Sequence, residues 1–216
     1  MSRVYFVVNS LSEFTFAPLL ESELKGVSCD VGESFPSNPG EYDLIVLWSI
    51  RKLLPEVAGL RNVIVFHSTD LPEGRGWAPI YHTLVNEKEF FTVTGLMPVA
   101  EADAGEIVVK AKFKIQSDHT AEHIRSFDHR ISILLVAKIL ERFKGEPLKG
   151  AAQSGTVTHY PRRRPEENEV PTDKNLSQLI SHLRACEKNH PAFFNYQGVR
   201  YLLYIEPEKA PLFPSD

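Results

Sequence analysis

DLIVLWSIRKLLPEVAGLRNVIVFH, residues 43–67, holds two short apolar runs, Asp43–Ser49 and Asn62–His67, with Lys52–Leu60 between them. Runs that are apolar at nearly every position read as strands covered on both faces, the condition of strands in a parallel sheet. Near the N-terminus Arg3–Val8 (RVYFVV) is a third such run, and the polar pair Asn9-Ser10 follows it. From Ser12 or Glu13 onward, FTFAPLLESELKG predicts a helix closed by Gly26. Strands that alternate with crossovers imply an α/β fold with a mainly parallel sheet. Ligands of such sheets bind at the carboxyl ends of the strands, and Ser49 and His67 both stand there.

Past His67 the chain enters a loop, STDLPEGRGWAP, and then a short helix is expected over Pro79–Asn86. Phe91–Met97 and Ile107–Ile115 read as strands. The second alternates apolar residues with lysines (IVVKAKFKI), so one of its faces should be exposed. Thr120–Phe143 is the strongest helical pattern, with Ile124, Phe127, Ile131, Leu134, Leu135, Ile139 and Leu140 at helical spacing and Gly145 after it. Pro147–Pro171 breaks the pattern and reads as a linker or wrapping loop. A last helix is expected around Asp173–Glu187, with Asp173 as its N-cap, then two strands joined by Gln197-Gly198 and a proline-rich tail. This gives a core over residues 1–146 and a C-terminal extension over 147–216, made of linker, helix and hairpin and packed on the core.

The 216 residues, 43% hydrophobic and 24% charged, have the balance of an ordinary globular protein large enough for one substantial core. A formal net charge of -4 argues against nonspecific nucleic-acid binding, which needs a basic surface. Cys29 and Cys186 are far apart and form no CxxC pair, so neither a zinc site nor a disulfide framework is expected. The first apolar run is too short for a signal peptide and no stretch reaches membrane-spanning length, so a cytoplasmic protein is expected. The first strand lacks a GxGxxG turn, so no dinucleotide is expected. His119 and His123 sit at i and i+4 beside Asp118, but no glutamate base or third ligand accompanies them. They read as the solvated start of the long helix, and no metal is expected.

In this order the pieces resemble the formyltransferases that use N10-formyltetrahydrofolate, whose signature is N-x-H-x-S-x-L-P-x-x-R-G-x-x-P followed by a D-x-G-x-I segment. His67, Leu71-Pro72, Arg75-Gly76 and Pro79 stand in register with the first, and Ala102–Ile107 (ADAGEI) is similar to the second. DLIVLWSIRKLLP resembles the strand and loop that lead to the family's Leu-Pro. HYPRRRPEENEV and LISHLRACEKNHPAFFNYQGVRYLLYI resemble the stretch, helix and hairpin found beyond the core in the sugar and methionyl-tRNA enzymes. Glycinamide ribonucleotide transformylase lacks that extension, and the C-terminal barrel of the tRNA enzyme is not expected after it. The loop HSTDLPEGRGWAP and the Arg-Ala-Cys…Pro-Ala-Phe-Phe segment look most like the small amino-sugar N-formyltransferases of the pseudaminic-acid pathway. The implied fold is a Rossmann-like formyltransferase core with a small helix and hairpin added. The implied reaction moves a formyl group from N10-formyltetrahydrofolate to the amine of a nucleotide-linked amino sugar, a UDP-4-amino-4,6-dideoxy sugar first among them.

That resemblance makes His67 the donor or proton carrier beside the formyl oxygen and Asp103 the group that orients it and shuttles the proton. A carboxylate close to an imidazole favours the charged, two-donor ring, which suits a developing oxyanion. One departure stands out: the family's asparagine two residues before the histidine is Val65. Losing such a donor costs a rate factor of roughly a hundred to a thousand, about 3–4 kcal/mol. Ser68, Thr69 and loop amides are candidates for its role, and Asp70 is either an amine contact or a loop cap. Leu71, Pro72, Gly74, Arg75, Gly76 and Trp77 form the expected folate loop, with Arg75 either clamping the loop or meeting substrate. Tyr81, Arg162 and Arg163 are candidate sugar-nucleotide contacts, although Arg162–Arg164 could equally pair with Glu166, Glu167 and Glu169. The exposed apolar residues of the C-terminal hairpin either form a homodimer or pack on the core. Three alternatives remain open: another amine acceptor, hydrolysis of the formyl donor, and a noncatalytic folate- or nucleotide-binding module, which Val65 motivates.

Overall fold

The computed structural model of the chain describes residues 1–51, 54–57, 59–209 and 211–214. Lys52 and Leu53 of the DLIVLWSIRKLLP stretch, Ala58, and three positions of the tail therefore lie outside the described residues. Strands β1 (Arg3–Val7), β2 (Ser28–Gly32), β3 (Leu44–Leu47), β4 (Val63–His67), β6 (Phe90–Leu96) and β7 (Ile107–Lys114) form one sheet in the order β2-β1-β3-β4-β6-β7. Strand β5 (Arg75–Gly76) falls between β4 and β6 in the chain and pairs with β8 (His159–Tyr160) in a two-stranded ribbon. β1 is parallel to β2 and β3, and β3 to β4, whereas β6 runs antiparallel to β4. The mainly parallel α/β sheet expected from the apolar runs is present.

Covered faces explain those runs. Val4, Phe6, Val8, Leu44, Val46, Trp48 and Ile64 point to one side, into a cluster with Phe16, Leu20, Ile133, Val136 and Ile139. Val7, Ile45, Leu47, Val57 and Val63 fill the other side. Alternation is invisible in the sequence because both sets are apolar. The helices are α1 (Ala17–Glu23), α2 (Pro79–Val85), α3 (Ala121–Phe143) and α4 (Leu176–Ala185). No helix among the described residues is long and apolar enough to cross a membrane.

Several boundaries differ from the expected ones. The first helix is split: a 3₁₀ turn at Leu11–Glu13, capped by Ser10, precedes α1. Pro18 has no N–H and is tolerated only in a first turn, so α1 begins beside it. The last helix starts at Leu176, and its N-cap is Asn175 rather than Asp173. The Asn175 side chain and Gln178 close a reciprocal capping box that Asp173 has no partner to form. The edge strand β2 was not anticipated. The stretch read as a linker holds β8, the bridge of Ala151 to Ile107, and a 3₁₀ turn at Pro165–Asn168.

The chain divides into two compact units. The first comprises residues 1–75, 92–111 and 128–158, and the second 76–91, 112–127 and 159–216. The second unit has its own apolar cluster, in which Leu179 and Leu183 of α4 meet Val170 and Ala192. Within it, β9 (Ala192–Tyr196) and β10 (Val199–Leu203) form an antiparallel hairpin. Gln197 and Gly198 make its turn with φ of 49° and 78°, the two positive values a two-residue turn of this hand requires.

Candidate active site

His67 is the last residue of β4, held between β3 and β6, and its partner across the antiparallel pair is Thr94. Only 8% of it is exposed. Nε2 lies 2.8 Å from the carbonyl oxygen of Gly74, and Nδ1 lies 3.4 Å from Oδ1 of Asp103. A carbonyl oxygen only accepts, so Nε2 carries a hydrogen and donates it. Both ring nitrogens therefore face acceptors, an arrangement in which a doubly protonated ring donates twice.

Asp103 belongs to the tight connection between β6 and β7, which the Met97 amide closes by donating to the Glu106 carbonyl at 3.0 Å. Its φ of 57° is left-handed. Two residues on, Gly105 lies so close to the end of β6 that a Cβ there would be 1.7 Å from the Met97 carbonyl oxygen. Any larger residue would push the Asp103 loop off the sheet. The turn reading and the catalytic reading of Asp103 thus describe one conformation: the turn carries the carboxylate to His67.

The three other polar candidates after His67 separate clearly. Ser68 Oγ donates to Asp128 Oδ2 at 2.9 Å. Asp70 forms an ion pair with Lys110 of β7, whose ammonium also donates to the Leu71 carbonyl at 2.6 Å, so Asp70 acts as a loop anchor. Thr69 is 5% exposed, and its carbonyl accepts from the Thr94 hydroxyl at 2.6 Å. Its own hydroxyl is buried and has no hydrogen-bond partner among the described residues.

Of the expected folate loop, Leu71 is buried, and Gly74 has a positive φ of 71°. The Gly74 amide donates to Thr158 Oγ1 at 2.8 Å. Arg75 is 8% exposed and binds Glu101 and Gln153, each at 2.8 Å, so it clamps the loop from within. All of these residues lie in the first unit.

Gly76, Trp77, Tyr81, Arg162 and Arg163 belong to the second unit. A Cβ at Gly76 would be 2.6 Å from the Tyr160 carbonyl oxygen, which explains the glycine. Trp77 is 44% exposed, with the Arg162 guanidinium 5.1 Å from its ring centroid. Arg163 lies 3.8 Å over the Tyr81 ring and donates to Asn168 and, at 3.1 Å, to Cys186. Its partners are these groups rather than Glu166, Glu167 or Glu169. Burial pushes the Tyr81 hydroxyl and the Cys186 thiol above their ordinary values, with Arg163 opposing both shifts. His119 is not solvated as expected: it is 3% exposed, packed edge-on to Phe113 and Phe127. No group of three or more His, Cys, Asp or Glu that could hold a metal occurs among the described residues.

Asp128, Lys110 and Gln153 carry no motif and were not anticipated. The detectable signal was weak: Asp128 is an acid next to Phe127 on the apolar side of the long helix, and Gln153 follows a short run of small residues.

No family model matches the chain. It is 30% identical over 168 residues, 74% of its length, to methionyl-tRNA formyltransferase of Streptococcus uberis, and spans about half (52%) of that enzyme. Its fold is similar to HypX from Aquifex aeolicus solved with tetrahydrofolic acid, at a TM-score of 0.73 and 20% identity over 95% of this chain and 37% of that one. A 4-N formyltransferase from Francisella tularensis aligns at a TM-score of 0.69 and 17% identity, over 97% and 99% of the two chains. The chain is thus similar in sequence to a methionyl-tRNA formyltransferase over 168 residues and shares its fold, over nearly its whole length, with HypX and a 4-N formyltransferase.

Proposed function

We propose that the chain is an N-formyltransferase that takes the formyl group of N10-formyltetrahydrofolate and delivers it to the amine of a nucleotide-linked amino sugar. The observation that carries this is the His67–Asp103 pair, 3.4 Å apart and nine-tenths and more than four-fifths buried, at the carboxyl end of a central strand in this fold. The tetrahydrofolic acid in the HypX structure supports the donor, and the 4-N formyltransferase supports a nitrogen acceptor. A UDP-4-amino-4,6-dideoxy sugar on a route to a pseudaminic-acid derivative is the acceptor we put first, on the resemblance of the His67 loop and the Arg184–Phe194 segment.

In this reaction the acceptor nitrogen attacks the formyl carbon, the bond from that carbon to N10 breaks, and one proton leaves the amine while one arrives at N10. His67 keeps Nδ1 toward Asp103, and its Nε2–H leaves the Gly74 carbonyl to donate toward the formyl oxygen as charge grows there. Asp103 stabilises the charged ring and takes part in moving the proton between the two nitrogens. Two buried polar groups with no hydrogen-bond partner among the described residues, Thr69 Oγ1 and Arg75 Nε, lie in the loop that follows His67, which fits a polar ligand there. Leu71, Pro72 and Gly74 would hold the folate in the first unit. Trp77, Tyr81 and Arg162 are the contacts proposed for the sugar nucleotide, and Arg163 supports Tyr81. Thr69 is the donor proposed in place of the absent asparagine, because Ser68 and Asp70 are engaged by Asp128 and Lys110.

The test is turnover with N10-formyltetrahydrofolate and a panel of UDP- and TDP-linked amino sugars, read by mass spectrometry as the gain of one formyl group. His67→Asn should abolish transfer and leave folate binding intact. Near-normal turnover in that variant removes His67 from the mechanism. Affinity for folate without any product would favour the noncatalytic reading that Val65 motivates, and formate release without acceptor would favour hydrolysis.

A further inference from the structure

Ala151 and Ile107 form an isolated antiparallel bridge, each amide donating to the other's carbonyl at 2.8 Å. Continued by two residues, that register sets position 153 opposite position 105. The backbone ladder stops there and the Gln153 side chain takes it over. Its Nε2 donates to the carbonyl oxygens of Gly105 at 2.9 Å and Asp103 at 2.7 Å, and its Oε1 accepts from the Arg75 guanidinium at 2.8 Å. Both amide hydrogens and the oxygen are engaged. A flipped amide would set its oxygen against two carbonyls and its NH₂ against a guanidinium, so the orientation is determined by the partners.

Arg75 extends the clamp by binding Glu101 at 2.8 Å with its other terminal nitrogen. The connection Glu101–Gly105 is thereby held at three points: the Glu101 carboxylate and the carbonyls of Asp103 and Gly105. Asp103 has a left-handed φ of 57°, which side-chain-bearing residues resist unless their surroundings impose it. Capture of its own carbonyl is such an imposition. The same segment also reaches the histidine. Thr158 Oγ1 accepts from the Gly74 amide at 2.8 Å, and the Gly74 carbonyl accepts from His67 Nε2 at 2.8 Å.

We infer that Gln153 is a positioning residue for the reaction: it holds the Asp103 turn and so sets the carboxylate against His67. The inference rests on reading that pair as the catalytic centre. It gives Arg75 a second task besides shaping the loop, since Arg75 is the one group that binds Gln153 and is covalently joined to Gly74. Misplacing a catalytic group by about 1 Å costs about a hundredfold in rate, so a lost clamp acts on turnover more than on binding.

The experiment uses the full chain with Gln153→Met, which keeps length and removes all three bonds, and Gln153→Glu, which keeps an acceptor for Arg75 and removes both donors. Each should lower kcat by about ten- to a hundredfold and leave KM for N10-formyltetrahydrofolate within about twofold. In an Asp103→Asn background, Gln153→Met should change kcat by less than about twofold, because the carboxylate it places is gone. The ¹⁵N ring resonances of His67 should move in Gln153→Met in the direction they move in Asp103→Asn. The inference is overturned by a kcat within about twofold of the parent, by an equal loss in the Asp103→Asn background, or by unmoved His67 resonances. If Gln153→Met does not fold, Gln153→Glu carries the same readouts. If the parent chain formylates no acceptor, the functional reading fails, while the ring resonances still decide whether Gln153 sets the pair.

Discussion

Asp103→Asn keeps the shape of the side chain and removes its charge, so it isolates what the carboxylate does for His67. At an effective dielectric of about 20, two unit charges 3.4 Å apart interact by about 5 kcal/mol. That is a ceiling, because the Asp103 side chain is 16% exposed and the asparagine oxygen still accepts a hydrogen bond. A retained loss of about 3 kcal/mol corresponds to about a 150-fold fall in kcat, provided that the ring is charged when the carbon–N10 bond breaks. The assay is steady-state formylation of the best acceptor, followed by mass spectrometry, with thermal denaturation as a control for the fold. KM for the folate should change little, since the charge on the ring matters in the transition state rather than in the bound ground state. A fall smaller than about fivefold in a folded variant would mean that Asp103 does not stabilise charge on His67, and the mechanism would lose its second member.

Gly76→Ala should destabilise the chain by about 2–4 kcal/mol in denaturant unfolding, because the new Cβ meets the Tyr160 carbonyl oxygen at 2.6 Å and φ is 106°. Asn175→Ala removes the capping box of α4 and should cost about 1 kcal/mol by the same measurement, with kcat unchanged. Stability should fall as pH drops below 6.5, the ordinary value for histidine, because burial holds His119 below it and does the same to His182. The unfolded chain then takes up protons that the folded chain refuses. The stability is complete above 6.5 and is lost on acidification until the lowered folded-state values are reached. His119→Gln should flatten that slope in urea titrations at several pH values, and an unchanged slope would assign it to other groups.

What could be read in advance follows from where the physics is local. β1, β3 and β4 were legible because strands covered on both faces are apolar at consecutive positions, and few other structures are. β2 was not legible. Ser28–Gly32 is only half-buried and shows no period, and it is a strand because β1 offers it a ladder from Arg3 to Val7. Gly32 leaves room for a partner distant in sequence, the Tyr5 hydroxyl, which a Cβ would meet at 2.1 Å. The α4 cap was within reach, since Asn175 and Gln178 have the spacing of a capping box and Asp173 does not. His119 was misplaced because its burial comes from Phe113 and Phe127, on a strand and a later turn of helix. His67 could be placed at a strand end from the sequence. Its meeting with Asp103 is a long-range contact that only the family resemblance supplied, and Gln153, Asp128 and Lys110 lay beyond both.

Val65 poses a problem of stability against chemistry. It lies in the middle of β4, opposite Leu47 on one side and Leu96 on the other, and packs against the apolar cluster of Val7, Ile45 and Leu47. An asparagine there would have to satisfy a partly buried amide, so the valine favours the sheet, and the proposed reaction is left short of a donor. Thr69 shows the opposite balance. Its hydroxyl is buried and unpartnered among the described residues, a state that costs about 1–3 kcal/mol when no ligand is bound. A group kept at such a cost two residues after His67 fits a donor reserved for substrate. Thr69→Val should therefore raise stability in denaturant by about 1 kcal/mol and lower kcat by about a hundredfold. The two effects must appear together. A stabilised variant with unchanged kcat would make the hydroxyl an idle packing defect, and a destabilised one would mean that the hydroxyl already has a partner in the folded chain.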